Sequence, residues 1–334
     1  MVFLSTESQQ TNHTRKIFLS DKTFQTQFQN SSHYNQTSNI NLDFPLLVPV
    51  RSADTSSYSI PIRRIGRLFV IEATVDGESG FLIFDTGATN LVLNRTYFRD
   101  HVRSGEIVSA GITGNVSQVD RITANNMTIG ELKFEKLSAN LTDLGHIENR
   151  RGIKVLGLFG FELIKSFEIT FDVTNNRILL NPVDNKGNLL DAGKQFNSDY
   201  IQNVEIVNNV LFAKATIGEK LLRFCFDTGA ETNALNSYLQ KTVLQTVSIT
   251  RTVKLGGAGA SSREVIYGIM NEFNYGDSQI PGMETIITYM DHLYEAYGVH
   301  IDGVLGFDFI SKGNFCINFT KKQMGISYIK PVGR

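Results

Sequence analysis

Slid by 142 positions, the chain matches itself: residues 67–94 lie on residues 209–236 without a gap. In that alignment "RLFVIEATVDGESGFLIFDTGATNLVLN" meets "NVLFAKATIGEKLLRFCFDTGAETNALN". Ala73 falls on Ala215, Thr74 on Thr216, Asp85 on Asp227, and Leu93-Asn94 on Leu235-Asn236. A second gapless match, from Met127 to Leu180, lies on Phe273 to Ile326 at a shift of 146. There "MTIGELKF" meets "FNYGDSQI" and "GLFGFELI" meets "GVLGFDFI". The shifts differ by four, so the second copy carries four extra residues between the Asp motif and the "IG" or "YG" turn. Self-similarity at this scale restricts the fold to two copies of one plan.

Each copy has a readable order. Leu68 to Val75 predicts a strand, Asp76-Gly77 a tight turn, and Phe81 to Phe84 a second strand that delivers Asp85 into a loop; its counterpart delivers Asp227. A Gly-rich stretch follows, "SAGITGNVSQV" in one copy and "KLGGAGASSREV" in the other, flanked by residues able to pair as a hairpin. Then come two apolar residues and a glycine, Leu158-Phe159-Gly160 and Val304-Leu305-Gly306, before a short helix and closing strands. The fold class is therefore mostly β. Val, Ile, Leu and Phe runs alternating with Gly, Asn and Asp turns begin near "FPLLVPV". Before them, residues 1–43 are crowded with Gln, Asn, Ser and Thr and read as a disordered or leader-like tail. The expected division is 1–43, a first lobe over 44–190 and a second over 191–334.

Composition removes several functions. With 334 residues, 41% of them apolar, the chain can fill two cores. Thirty-two Lys and Arg against thirty-three Asp and Glu leave no field to attract a nucleic acid. No apolar run is long enough to span a bilayer, and "MVFLS" lacks the features of a signal peptide, so stable membrane insertion is not expected. The compartment stays open, an extracytoplasmic one included should a leader be missing from this chain, and the several N-x-S/T triplets would be glycosylation sites only in a secreted eukaryotic chain. Cys225 and Cys316, each in an apolar run, read as packed thiols before a disulfide. The histidines show no ligand spacing, so neither metal nor other cofactor is expected. His146 and His292 fall on each other in the repeat but read as packing residues.

These residues resemble a retropepsin-like or pepsin-like aspartic protease, duplicated in one polypeptide, over roughly residues 60 to 330. The resemblance implies a bilobal fold with two pseudo-twofold-related β-barrel-like lobes. Each Asp-Thr-Gly would contribute to one cleft, in a monomer that is an intramolecular pseudo-dimer acting on a peptide or protein. It implies catalytic roles for Asp85 and Asp227, with Thr86 and Thr228 bracing the loops through hydrogen bonds. Gly87 and Gly229 permit close approach of the backbone. Ala88 and Ala230 follow them, and Gly160 and Gly306 complete the support. Gly111, Gly114, Gly257 and Gly259 are candidates for substrate-covering flaps or ordinary loop glycines.

The chemistry fits the residue types. Hydrolysing an amide without metal or covalent nucleophile needs one group to deprotonate water and another to protonate the carbonyl oxygen. Two carboxyls about 3 Å apart cannot both ionise and so supply both. A non-catalytic peptide-binding or regulatory protein with the same groove is the competing reading, although such a module has no need of paired carboxyls. The chain departs from pepsin-like enzymes in lacking a Tyr in "SAGITGNVSQV", any Trp, and their set of disulfides. It also carries Ala88 and Ala230 where those enzymes usually have Ser or Thr.

Overall fold

Strand Leu68–Val75 is buried at nearly every position, because "LFVIEATV" offers apolar side chains to both of its faces. It pairs antiparallel with Glu78–Phe84 through the turn at Asp76-Gly77, and Val210–Ile217 pairs in the same way with Lys220–Phe226. The computed structural model describes residues 5–7, 57–111, 114–191, 195–256, 263–291, 293–294 and 298–330, all within one compact unit. The stretch "FPLLVPV" lies outside the described residues, as does the expected tail apart from Ser5–Glu7, which forms a strand.

Three sheets carry the described chain. An eight-stranded sheet takes strands between Arg63 and Phe159. An eleven-stranded sheet takes strands between Glu205 and Leu305, together with Ser5–Glu7 at one edge. A six-stranded sheet draws on both parts of the sequence. At its centre Phe167–Asp172 runs antiparallel to Gly313–Asn318. There Thr170 faces Cys316, two positions that the 146-residue shift superposes, and Ile169↔Ile317 is exchanged by that shift with Phe171↔Phe315. A register that maps onto itself places a local pseudo-twofold axis at the Thr170–Cys316 pair.

This sheet supports the strands that lead to the two acids. Phe84, just before Asp85, stacks on Phe171 with ring centroids 5.4 Å apart, and Phe226, just before Asp227, lies 5.1 Å from Phe315. Aromatic contacts of this kind add to the burial of large apolar area. Buried Phe, Ile and Leu from both parts of the sequence form one continuous core, including Phe69, Phe84, Phe171, Phe226, Phe309 and Phe315. Cys225 is buried, and both Cys225 and Cys316 are free thiols.

The hairpins and the extra residues also have definite places. Arg103–Gly111 pairs with Gly114–Ile129, ending at Gly111↔Gly114, so both predicted flap glycines sit at the end of a hairpin. The matching hairpin, Val247–Gly256 with Arg263–Met270, ends its register at Leu255↔Arg263, and Gly257 and Gly259 lie outside the described residues. A short helix begins at Arg95, directly after Asn94, whereas its counterpart begins at Lys241, after Ser237–Gln240 has followed Asn236. Those four residues account for the difference between the two shifts. His146 falls in the helix Gly145–Arg151, and His292 lies outside the described residues.

Candidate active site

Each acid ends an apolar strand that is held on the side facing the following glycine. Ile83 and Phe84 pair in parallel with Leu158 and Phe159, and Cys225 and Phe226 pair in parallel with Val304 and Leu305. The amide of Asp85 donates to the carbonyl of Phe159 at 3.1 Å, and that of Asp227 to Leu305 at 3.0 Å. Two residues on, Phe161 donates to the carbonyl of Ala88 and Phe307 to that of Ala230, both at 2.9 Å. Gly160 and Gly306 lie between these two bonds. A Cβ on Gly160 would sit 2.2 Å from the carbonyl oxygen of Asn90, and one on Gly306 would sit 2.6 Å from that of Thr232. The two Asp loops therefore rest directly on the backbone of the following segment, which only glycine permits.

The two loops then grip each other. The amide of Thr86 donates to Oγ1 of Thr228 at 3.0 Å, and the amide of Thr228 to Oγ1 of Thr86 at 3.1 Å. Each hydroxyl passes its own proton on, Thr86 to the carbonyl of Phe226 at 2.8 Å and Thr228 to that of Phe84 at 2.7 Å. Four buried hydrogen bonds related by exchange of the loops fix one loop relative to the other.

That grip brings Asp85 and Asp227 together, both fully buried. A Cβ on Gly87 would fall 2.5 Å from Oδ2 of Asp227, and one on Gly229 would fall 2.6 Å from Cγ of Asp85. Each carboxyl thus packs against the other loop's glycine. Oδ1 of Asp85 accepts the amides of Gly87 and Ala88 at 2.9 and 3.0 Å, while Oδ1 of Asp227 accepts that of Gly229 at 2.8 Å. Among the described residues no other group donates to either Oδ2, which leaves the pair itself as the place for a shared proton. Burial pushes both carboxyls above their ordinary range. For Asp227 the charge of Asp85 beside it adds to the effect of burial.

Charged residues that the sequence reading did not single out surround this centre. Arg67 donates to Oδ2 of Asp308 at 2.8 Å, pairs with Glu284 and reaches the carbonyl of Glu231 at 3.4 Å. Arg151, at the end of the helix Gly145–Arg151, pairs with Glu231, the residue after Ala230. The sequence does not single these residues out: Thr89 stands where the second copy has Glu231, but the three positions that follow differ between the copies as well. Buried Asn94 and Asn236 donate to the carbonyls of Val155, in the strand Val155–Phe159, and of Ile301, just before the strand Gly303–Leu305, at 3.0 and 3.3 Å.

Among the described residues, no cluster of His, Cys, Asp or Glu could hold a metal ion, and no helix is long and apolar enough to cross a membrane. The aspartyl protease family model matches residues 213–309, a segment that contains Asp227 and Gly306. This match supports an aspartic protease-like family for the chain. No curated protein matches it. Among solved structures, the chain is similar to the aspartic proteinase from Irpex lacteus, with a TM-score of 0.48 and 13% identity, over 82% of this chain and 97% of that one.

Proposed function

We propose that the chain is an aspartic endopeptidase in which Asp85 and Asp227 share one proton and activate water against a peptide bond. The reading rests on one observation above the others: two carboxyls from matched loops are buried side by side, with no donor to either Oδ2 from outside the pair among the described residues. Two amides at Oδ1 stabilise the charged form of Asp85, against one for Asp227, so the charge belongs on Asp85 and the proton on Asp227. The apparent pKa values nonetheless belong to the pair.

In the forward step Asp85 takes a proton from water while the water oxygen bonds to the carbonyl carbon. Asp227 gives its proton to the carbonyl oxygen. The tetrahedral intermediate, a diol, collapses when Asp85 passes its proton to the amide nitrogen and Asp227 takes a proton back from one hydroxyl; the C–N bond breaks, the carbonyl re-forms, and an acid and an amine leave with the pair restored. The Thr86–Thr228 exchange supports this chemistry by holding the carboxyls in register, so that little reorganisation is needed as charge moves. The substrate is a peptide or protein, and one chain supplies both acids, so a monomer suffices.

The test is cleavage of a peptide library from acid to neutral pH, repeated with Asp85→Asn and Asp227→Asn. Loss of nearly all turnover in each variant, with folding retained and strong non-additivity, is expected. A single variant with near wild-type turnover rules out the shared pair. Binding of a peptide carrying a tetrahedral hydroxyl provides a second probe of the same centre. Peptide binding without cleavage at any pH would favour the non-catalytic reading, which the complete burial of both acids also suits.

A further inference from the structure

Asp76 opens the turn between Leu68–Val75 and Glu78–Phe84 with a φ of +46°, in the left-handed region that Gly, Asn and Asp enter most readily. The 142-residue shift superposes it on Gly218, which has a φ of +56°. The amide of Asp76 donates to the carbonyl of Asn126 at 2.9 Å, and that of Gly218 donates to Glu272, again at 2.9 Å. The second copy thus builds an equivalent turn and the same tie without a carboxylate, so the Asp76 side chain serves something other than the turn.

That side chain gathers partners from both strands at the base of the first hairpin. Oδ1 accepts the amide of Asn126 at 2.7 Å and Oδ2 that of Asn125 at 3.0 Å, both in the strand Gly114–Ile129. Oδ2 also meets Nε2 of His101 at 2.8 Å, two residues before the strand Arg103–Gly111. The pair is largely withdrawn from water, with 11% of the Asp76 side chain and 21% of the His101 side chain exposed, and the imidazole packs on Phe98 with ring centroids 5.6 Å apart. The 146-residue shift, which applies after the four extra residues, superposes His101 on Val247. Both partners are therefore replaced together in the second copy, by Gly218 and Val247, and a hairpin still forms there.

We propose that Asp76 and His101 form a proton-operated latch on the base of the first hairpin, tight in mildly acidic solution and slackened as the imidazole loses its charge. Imidazoles in general take up a proton between about pH 8 and pH 5, and a cationic N–H bonds a carboxylate roughly twice as strongly as a neutral one does. Across the contact His101 faces the charge of Asp76; Asn125 and Asn126 from the hairpin strand carry none, and its own segment brings Arg99, Asp100 and Arg103, all exposed. Burial opposes ionisation of Asp76, but the bond with His101 and the two amides outweigh it, so the acid stays charged while an imidazole titrates. The strand so held also carries Val119, which shares an apolar cluster with Ala88 of the Asp85 loop. The latch stands independently of the endopeptidase reading.

The test is hydrogen exchange in the full chain, with each amide's rate taken relative to an unstructured peptide at the same pH so that the intrinsic pH dependence cancels. Two variants accompany the wild type. His101→Gln keeps a side-chain N–H donor but takes no charge, and Asp76→Gly installs the residue that the second copy uses in its own turn. Expected in the wild type is a several-fold rise in protection at Asn125, Asn126 and Ile122, which faces Arg103, on going from about pH 8 to about pH 5.5. His101→Gln should show no such rise, and Asp76→Gly should be several-fold less protected there at both pH values. The matching hairpin, Val247–Gly256 with Arg263–Met270, should show no rise in any of the three proteins. An equal rise in His101→Gln overturns the role of the proton, and unchanged protection in Asp76→Gly overturns the latch. A rise shared by the matching hairpin marks a change of the whole protein and overturns it as well.

Discussion

Arg67 donates to Asp308 at 2.8 Å, and Asn209, which the 142-residue shift superposes on Arg67, donates to Glu162 at 2.6 Å. The 146-residue shift superposes Glu162 on Asp308, each in the short helix that follows Gly160 or Gly306. The two junctions are geometrically equivalent but chemically unequal: at one Arg67 bridges two carboxylates, at the other Asn209 makes an amide–carboxylate bond to Glu162, which also pairs with Lys165. Truncating Arg67 leaves Asp308 and Glu284 without their shared cation, whereas truncating Asn209 removes one hydrogen bond. Because Arg67 is partly exposed, solvent screens the loss, and Arg67→Ala should cost about 2 kcal/mol against about 1 kcal/mol for Asn209→Ala. Urea denaturation of both variants checks the order; equal costs would show that the asymmetry has no energetic weight.

The hydroxyls of Thr86 and Thr228 each accept one amide and donate to one carbonyl across the loop junction. Thr86→Ser keeps the oxygen, while Thr86→Ala leaves the amide of Thr228 and the carbonyl of Phe226 buried without these partners. Expected is near wild-type stability for Ser and a loss of about 1–3 kcal/mol for Ala. Each Ala variant removes its own two bonds of the junction, but the Ala variants at 86 and 228 should still combine non-additively, because loosening the junction from one side weakens the pair of bonds on the other. A double-mutant cycle with no coupling contradicts the reciprocal arrangement.

Much of this was legible because the match between copies reports spatial equivalence directly. The two Asp loops, their glycines and the apolar-apolar-Gly segments all sit at corresponding places, and Leu68–Val75 has the bounds that its apolar run suggests. The clamp around Arg67 was not legible, because its members come from four distant segments and obey no local period. Nor was Ser5–Glu7 as a strand: its polar sequence has no apolar alternation, and the pairing relies on backbone groups that sequence does not display. The four extra residues were detectable as a number, but their position after Asn236 follows only from where the next helix starts.

Two buried or partly buried acids should shape stability in opposite ways. Asp227 has its folded-state pKa raised, by burial first and then by Asp85. Its contribution is full below the unfolded carboxylate pKa of about 3.9 and is lost as pH rises through the folded value. Asp76 is lowered: burial opposes ionisation, but the hydrogen bond with His101 and the amides of Asn126 and Asn125 outweigh it. Its contribution is present above about 3.9 and is lost as pH falls through the folded value. Asp227→Asn should therefore flatten the stability profile on the alkaline side and Asp76→Asn on the acid side. Denaturation midpoints across pH check both, and the reverse assignment would refute the signs.

The residue after each Asp-Thr-Gly sets the last expectation. Ala88 and Ala230 are fully buried, and the amide of Ala88 already donates to Oδ1 of Asp85. A hydroxyl at either position would add a donor to the ionised carboxyl, favouring the charged form and lowering the apparent pKa of the pair. Without those donors the pair is protonated more readily as pH falls, so the acidic limb of activity should lie higher than in relatives with Ser there. The difference should be roughly one pH unit if each bond contributes about a kcal/mol. Best activity is accordingly expected in mildly acidic to near-neutral solution, and Ala88→Ser with Ala230→Ser should move the acidic limb of kcat/KM downward. Ala88→Cys serves as a size control, because it adds a comparable side chain with a much weaker donor and should leave the limb in place. A double-Ser enzyme whose acidic limb stays put, or a wild-type optimum below about pH 3, would show that these donors do not set the working pH.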